Sequence, residues 1–101
     1  EVKVIKKIAI SKGLQTRKYR REDLAKIADT ILLFNNIEAS FVVGKIDKGI
    51  GISARSMGNI NVGKIMEEFG GGGDNHEAAA RISDRSLNEM VSEITKIAKK
   101  L

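Results

Sequence analysis

The stretch Glu38-Ala39-Ser40-Phe41-Val42-Val43-Gly44-Lys45-Ile46, then Asp47-Lys48-Gly49, then Ile50-Gly51-Ile52-Ser53-Ala54-Arg55, decides how this chain folds. Both flanks are rich in the residues that fit a pleated surface. A three-residue connection containing glycine marks a hairpin between them. Phe41-Val42-Val43 is continuously apolar rather than alternating, which predicts a central strand buried on both faces. Such a strand needs further strands beside it and helices on both sides of the sheet.

Working outward supplies them. Towards the N-terminus, Val2 to Ser11 is rich in β-branched residues and reads as one strand, ended by Lys12-Gly13. Gln15 to Arg20 is a polar connection. From Arg21 the apolar positions Leu24, Ile27, Ala28, Ile31 and Leu32 follow the three-four spacing of a helix face. Glu22 and Asp23 put negative charge in its first turn, and Asn35-Asn36 supplies a stop because asparagine tolerates the left-handed conformation. Towards the C-terminus, Asn61 reads as the N-cap of a short helix carrying Val62, Ile65, Met66 and Phe69, ended by Gly70. Ala78 to Ile82 reads as a last short strand. Ser86 with Glu89 three residues on forms a capping box, and Leu87, Met90, Val91, Ile94, Ile97 and Ala98 line the apolar face of the final helix. The expectation is one α/β (α+β) domain over residues 1–101, a mixed sheet of about four to five strands flanked by helices.

The 101 residues contain no cysteine, which excludes a disulfide framework and a thiolate metal site. That usage, and an opening that shows no signal peptide, lead to an expected cytoplasmic location, with membrane attachment of a parent protein left open. The longest apolar run, Ile31 to Phe34, is far short of the roughly 20 residues a membrane span needs. The net charge is +5, with Lys12, Arg17, Lys18, Arg20 and Arg21 in one polar segment. A basic balance favours anionic partners. Aromatic residues make up only 4% of the chain, too few for a platform that stacks the bases of single-stranded nucleic acid.

Two segments could carry chemistry. Ser53-Ala54-Arg55-Ser56 ends a strand with hydroxyls around an arginine, whose planar fork of donors matches phosphate oxygens in pairs. Gly70-Gly71-Gly72-Gly73, followed by Asp74-Asn75-His76-Glu77, offers backbone that a ligand can approach closely and amides that can converge on an anion. Together they predict a phosphate clamp. A connector or a helix C-cap would also explain the glycines, and a carboxylate partner would also explain Arg55. The run matches neither the phosphate loop, since no Gly-Lys-Ser/Thr follows, nor a dinucleotide fingerprint, since it follows a helix. His76, the only histidine, reads as a phosphate-contacting or structural residue, because a metal would need more ligands.

At these residues the chain resembles a known family. Ile50 to Ser56, Asn61-Val62, Ile65-Met66 and Gly70 to Gly73 with Ala78-Ala79 are similar to the DHH-associated domain, the C-terminal substrate-binding domain of DHH superfamily phosphoesterases. Ala39 to Val43 followed by Gly51 to Ser56 most resembles the bacterial cyclic di-AMP phosphodiesterases. RecJ-type exonucleases, oligoribonucleases and exopolyphosphatases share the design. The resemblance implies a preceding catalytic DHH domain with two manganese ions, over which this domain closes to hold substrate. It implies substrate-binding roles for Ser53, Arg55, Ser56, Gly71, Gly72, Gly73 and His76, with no catalytic residue, metal or other cofactor in this segment. The family places histidine directly after the glycines; here that position is Asp74. With no Asp-His-His triplet, the segment alone is not expected to hydrolyse anything. The partners implied are a cyclic dinucleotide, a linear dinucleotide or a short oligonucleotide, together with the catalytic domain. A single-stranded nucleic-acid module and a homodimerisation or docking module are the competing readings.

Overall fold

The hairpin occupies the middle of the sheet, as its apolar continuity requires. The computed structural model describes every residue from Glu1 to Leu101. In chain order the elements are β1 (Val2–Ile5), β2 (Ile8–Lys12), α1 (Arg21–Leu32), β3 (Ala39–Ile46), β4 (Gly49–Ser56), α2 (Val62–Glu67), β5 (Gly72–Gly73), β6 (Glu77–Ile82) and α3 (Leu87–Lys100). The strands form one mixed sheet in the order β1-β2-β3-β4-β6-β5. Only the β2–β3 pair is parallel, and α1 supplies the crossover that a parallel pair requires.

The sheet has six strands rather than four to five, for two local reasons. Val2 to Ser11 is not one strand. It folds back at Lys6-Lys7, both at positive φ (50° and 67°), and β1 pairs antiparallel with β2. Two successive positive-φ residues are the geometry of a tight hairpin turn, normally made by Asn-Gly or Gly-Gly, so two lysines give no warning of it. The second addition is β5, where two glycines pair with Ala79 and Ala78 of β6 at the sheet edge.

The hairpin connection is shorter than expected: Gly49 already pairs with Ile46, so the turn is the two residues Asp47-Lys48. The other expectations for β3 and the helix ends agree with the structure. From Ala39 to Gly44 every residue of β3 is buried. The Asn61 side chain accepts a hydrogen bond from the Lys64 amide at the start of α2. Ser86 and Glu89 satisfy each other's backbone amides at 3.1 and 2.9 Å, and the Ser86 amide holds the Glu89 carboxyl below its usual range. Asn36 takes positive φ (67°) beyond the end of α1.

Strand alternation sorts the core into two layers. Phe41, Val43, Ile52 and Ala54 point to the face covered by α2 and α3, where Met66, Met90 and Ile94 meet them. Val42 and Ile46 point to the opposite face, where Leu24, Ala28 and Ile31 of α1 cover them. The buried Ser40 hydroxyl donates to the Ala28 carbonyl at 2.7 Å and pins α1 to β3. No helix is long and apolar enough to cross a membrane.

Phe41 is 1% exposed and Leu33 is 83% exposed. Phe41→Ala should therefore cost about 3–5 kcal/mol, whereas Leu33→Ala should change stability by well under about 1 kcal/mol. Urea unfolding checks both, with the difference appearing in the midpoint at an unchanged slope.

Candidate functional site

On its face of the sheet α1 reaches only as far as β4, and β6 beyond it is bare. Gly51, Ser53 and Arg55 of β4 share the α1 face, and their partners across the ladder are Arg81, Ala79 and Glu77. All three of those β6 residues are exposed, while Ala78, Ala80 and Ile82 between them are buried on the other face. The result is a groove of about 430 Å³. Its floor includes Ser53, Ala79 and Gly72, its far rim Gly73, and its wall Arg21 and Ala25 of α1. Arg21, Ala25 and Asp29 recur every four residues and so make one stripe along the helix. The small Ala25 leaves the middle of the groove open.

Arg55 closes one end. Its Nε donates to Asp29 Oδ1 at 2.6 Å and its Nη1 to the Ala54 carbonyl at 2.9 Å. The side chain is 13% exposed, against 62% for Asp29. The carboxylate partner is thus real, and it holds the guanidinium in one orientation. Nη2 donates to no protein group, so one edge of the fork remains available at the groove. Ser53 beside it is 5% exposed, and its hydroxyl also has no protein partner. No side-chain polar atom sealed inside the protein lacks a partner, so the small exposed part of Ser53 includes its hydroxyl. An unpaired hydroxyl that a ligand would cut off from water must bond to that ligand.

The glycine run does not form the array of free amides expected from the sequence. The Gly71 amide donates to the Met66 carbonyl at 2.9 Å, the Asp74 amide donates to the Glu77 carbonyl at 2.8 Å, and Gly72–Gly73 lie in a strand. What the run supplies is bareness. A side chain at position 71 would collide with the Ala79 carbonyl, whereas position 72 opens onto empty space. Gly72 and Gly73 line the groove; Gly71 lies behind it as packing.

Besides Gly71, two more of the residues implied by the resemblance lie outside the groove. Ser56 has the opposite strand parity from Arg55, is buried, and accepts a hydrogen bond from the Gly58 amide at 3.0 Å. His76 packs beside Gly58, and its carbonyl accepts from the Ser56 amide at 2.9 Å. Asp74 acts locally, with its Oδ1 accepting from the amides of His76 and Glu77 at 2.8 and 2.9 Å. The Asp74 side chain builds the turn between β5 and β6. Those amides, the Glu77 one foremost, hold its carboxyl below the ordinary aspartate range. Sequence reasoning did not single out Ala25 or Asp29, and met Glu77 only as a neighbour of His76. The four-residue stripe on α1 was the signal available for finding the first two.

The site is therefore a groove on an α+β domain in which Arg21 and Arg55 stand with the carboxylates of Glu22 and Glu77, and which offers an oriented arginine, an unpaired hydroxyl and a side-chain-free rim. The chain belongs to the DHHA1 domain family, whose model matches residues 4–100. It is 43% identical over 88 residues to the cyclic-di-AMP phosphodiesterase GdpP of Geobacillus thermodenitrificans, covering 86% of this chain and 13% of that protein. It is 41% identical to the cyclic-di-AMP phosphodiesterase PdeA of Listeria monocytogenes, with the same shares covered. An exopolyphosphatase-related protein from Bacteroides fragilis has the same fold, with a TM-score of 0.79 at 21% identity over 98% of this chain and 31% of that one. The chain spans only 13% of the length of each of these two curated relatives.

Asp74 generates a pH prediction with a definite sign. Its carboxyl ionises at lower pH in the folded than in the unfolded chain, so its contribution to stability is fully present above about pH 4. That contribution is lost as pH falls through the folded value. The stability difference between the native chain and Asp74→Ala should be constant from about pH 5 to 7 and shrink below about pH 4. Urea unfolding across that range measures it. The Arg55–Asp29 pair gives a second expectation: because Asp29 is well exposed, Asp29→Ala should cost about 1 kcal/mol or less.

Proposed function

We propose that this domain binds the phosphate or nucleotide part of the substrate of a metal-dependent phosphodiesterase, on which it acts together with a catalytic DHH domain of the same longer protein. The substrate we favour is cyclic di-AMP or a related dinucleotide. The observation that carries this reading is the pairing, at one end of the groove, of an unpartnered Ser53 hydroxyl with the free edge of Arg55. Both are donors, and Asp29 holds the guanidinium in place before any ligand arrives. A phosphodiester oxygen accepts from donors of this kind, and the Gly72–Gly73 rim lets a bulky nucleotide lie against the backbone. The names of the two curated relatives agree in pointing to a cyclic dinucleotide.

In this reading manganese belongs to the catalytic partner domain. Within the chain no three His, Cys, Asp or Glu side chains come together, so no residue here is assigned to the metal. The domain's share of catalysis is positioning. It fixes the ester while the partner supplies the hydrolytic centre.

Titration of the chain with cyclic di-AMP, followed by amide NMR, should move the signals of Ser53, Arg55, Gly72 and Gly73. Arg55→Ala should weaken binding roughly tenfold or more, the usual worth of a hydrogen bond to a charged group. Unmoved signals at these residues at millimolar nucleotide, with the same affinity in Arg55→Ala, would sink the assignment.

A further inference from the structure

The groove does not end at the start of α1. Arg21 and Glu22 also line a second cavity of about 520 Å³, which lies over the β3–β4 turn. Its cationic residues are Lys18, Arg20, Arg21, Lys48 and Arg81, and they come from the loop before α1, from the start of α1, from the β3–β4 turn and from β6. Only Glu22 and Asp47 oppose them. Arg20 pairs with Asp23 at 3.5 Å, but Lys18, Arg21, Lys48 and Arg81 have no carboxylate within ion-pair distance. Four unneutralised cations around one hollow create a field that a bound anion would relieve.

The hollow has fixed walls. The Tyr19 amide donates to the Lys45 carbonyl at 2.7 Å, and Lys45 Nζ donates back to the Gln15 carbonyl at 2.7 Å. The Tyr19 hydroxyl accepts from the Leu14 amide at 3.0 Å. A Cβ at Gly44 would come within 3.0 Å of the Tyr19 ring, so the ring seats on the sheet only because position 44 has no side chain. Arg81 Nη1 donates to the Lys48 carbonyl at 3.2 Å and ties the turn to β6. The loop is therefore stitched to β3 on both sides of Lys18, and Arg20 beyond it is held to the first turn of α1 by its amide donating to Asp23 Oδ2 at 3.2 Å.

The spacing says what kind of anion fits. Arg55 sits opposite Glu77, and Arg81 sits opposite Gly51, four residues away along the same strand pair. That is roughly 13 Å at the rise of a strand. Arg21 and Asp29 on the facing helix are about 12 Å apart by helix rise. No single phosphate reaches from one end to the other, and two phosphates one nucleoside apart do so only with the added reach of the long arginine and lysine side chains at the two ends. We propose that the cavity bounded by Lys18, Arg21, Lys48 and Arg81 is a second phosphate subsite, which takes the distal phosphate of a linear ligand whose other phosphodiester lies at Arg55. For the ligand to be a nucleotide, this rests on the reading of the Arg55 groove given above. The shared chemistry is an extended ligand with two or more phosphates, ending in a phosphomonoester.

Calorimetric titrations with 5′-phosphorylated linear diadenylate, with the same dinucleotide lacking the terminal phosphate, and with tripolyphosphate test the inference. The terminal phosphate should strengthen binding about tenfold, and the Lys48→Gln/Arg81→Gln double variant should lose that gain while binding the unphosphorylated dinucleotide unchanged. Arg55→Ala should weaken both dinucleotides alike. Tripolyphosphate bound by the native chain, with loss in the double variant, would support the subsite for an inorganic oligophosphate even if neither dinucleotide bound; in that case only the nucleotide reading would fail. Equal affinity for the two dinucleotides, or a gain that survives in the double variant, overturns the subsite and leaves the Arg55 groove standing. Affinity that climbs steadily with oligonucleotide length beyond about four residues also overturns it, since a nucleic-acid track would then be the better description. Unchanged thermal unfolding of the double variant, both of whose side chains are exposed, shows that the fold is intact.

Discussion

The groove exists because one helix stops short. The α1 face of the sheet is apolar across β3, where Val42 and Ile46 meet Leu24, Ala28 and Ile31, and turns polar from Ser53 onward. Burying a helix over Ser53, Arg55, Glu77 and Arg81 would strand their polar groups away from water. The helix therefore ends its cover at β4, and its edge becomes a wall. The period of two in β4 completes the arrangement: Ile52, Ala54 and Ser56 point to the α2–α3 side, while Gly51, Ser53 and Arg55 face the opening.

This division explains what could be read from the chain. The β3–β4 hairpin, the three helices and their caps were legible because each rests on a local chemical signature: apolar continuity, three-four spacing, or a serine and glutamate at capping distance. The Lys6-Lys7 turn was not, because its cost is met by β1–β2 pairing and by the Glu38 amide donating to the Lys7 carbonyl at 2.8 Å, which lies far along the sequence. The strand character of Gly72–Gly73 was hidden for a related reason. Glycine has little preference for a strand, and only the neighbouring alanines of β6 put it there.

At the groove, Arg55, Ser53 and the Gly72–Gly73 rim were legible as types of residue, while their setting was not. Nothing in the local sequence says that Asp29, 26 positions away, orients the guanidinium. Ser56 and His76 fall outside for reasons that parity and turn chemistry supply: one points to the wrong face, and the other sits at the end of the Gly58 loop. Asp74 is the instructive case. An acid beside a phosphate site looks adverse, yet its charge is spent on two backbone amides at the β5–β6 turn, and part of its repulsion of an anion is offset there.

The seat of Tyr19 on Gly44 has a consequence for how this surface can change over time. A methyl group at residue 44 would press on Leu24 at 2.9 Å as well as on the tyrosine ring, so the core and the cationic loop would be disturbed by one atom. Lys18, Arg21 and Lys48 can be exchanged more freely, since their side chains hold no part of the frame, whereas Arg81 also ties the turn to β6. The bare carbon beneath the ring cannot: variation in ligand preference is open at the rim and closed at the hinge pin that holds the rim in place.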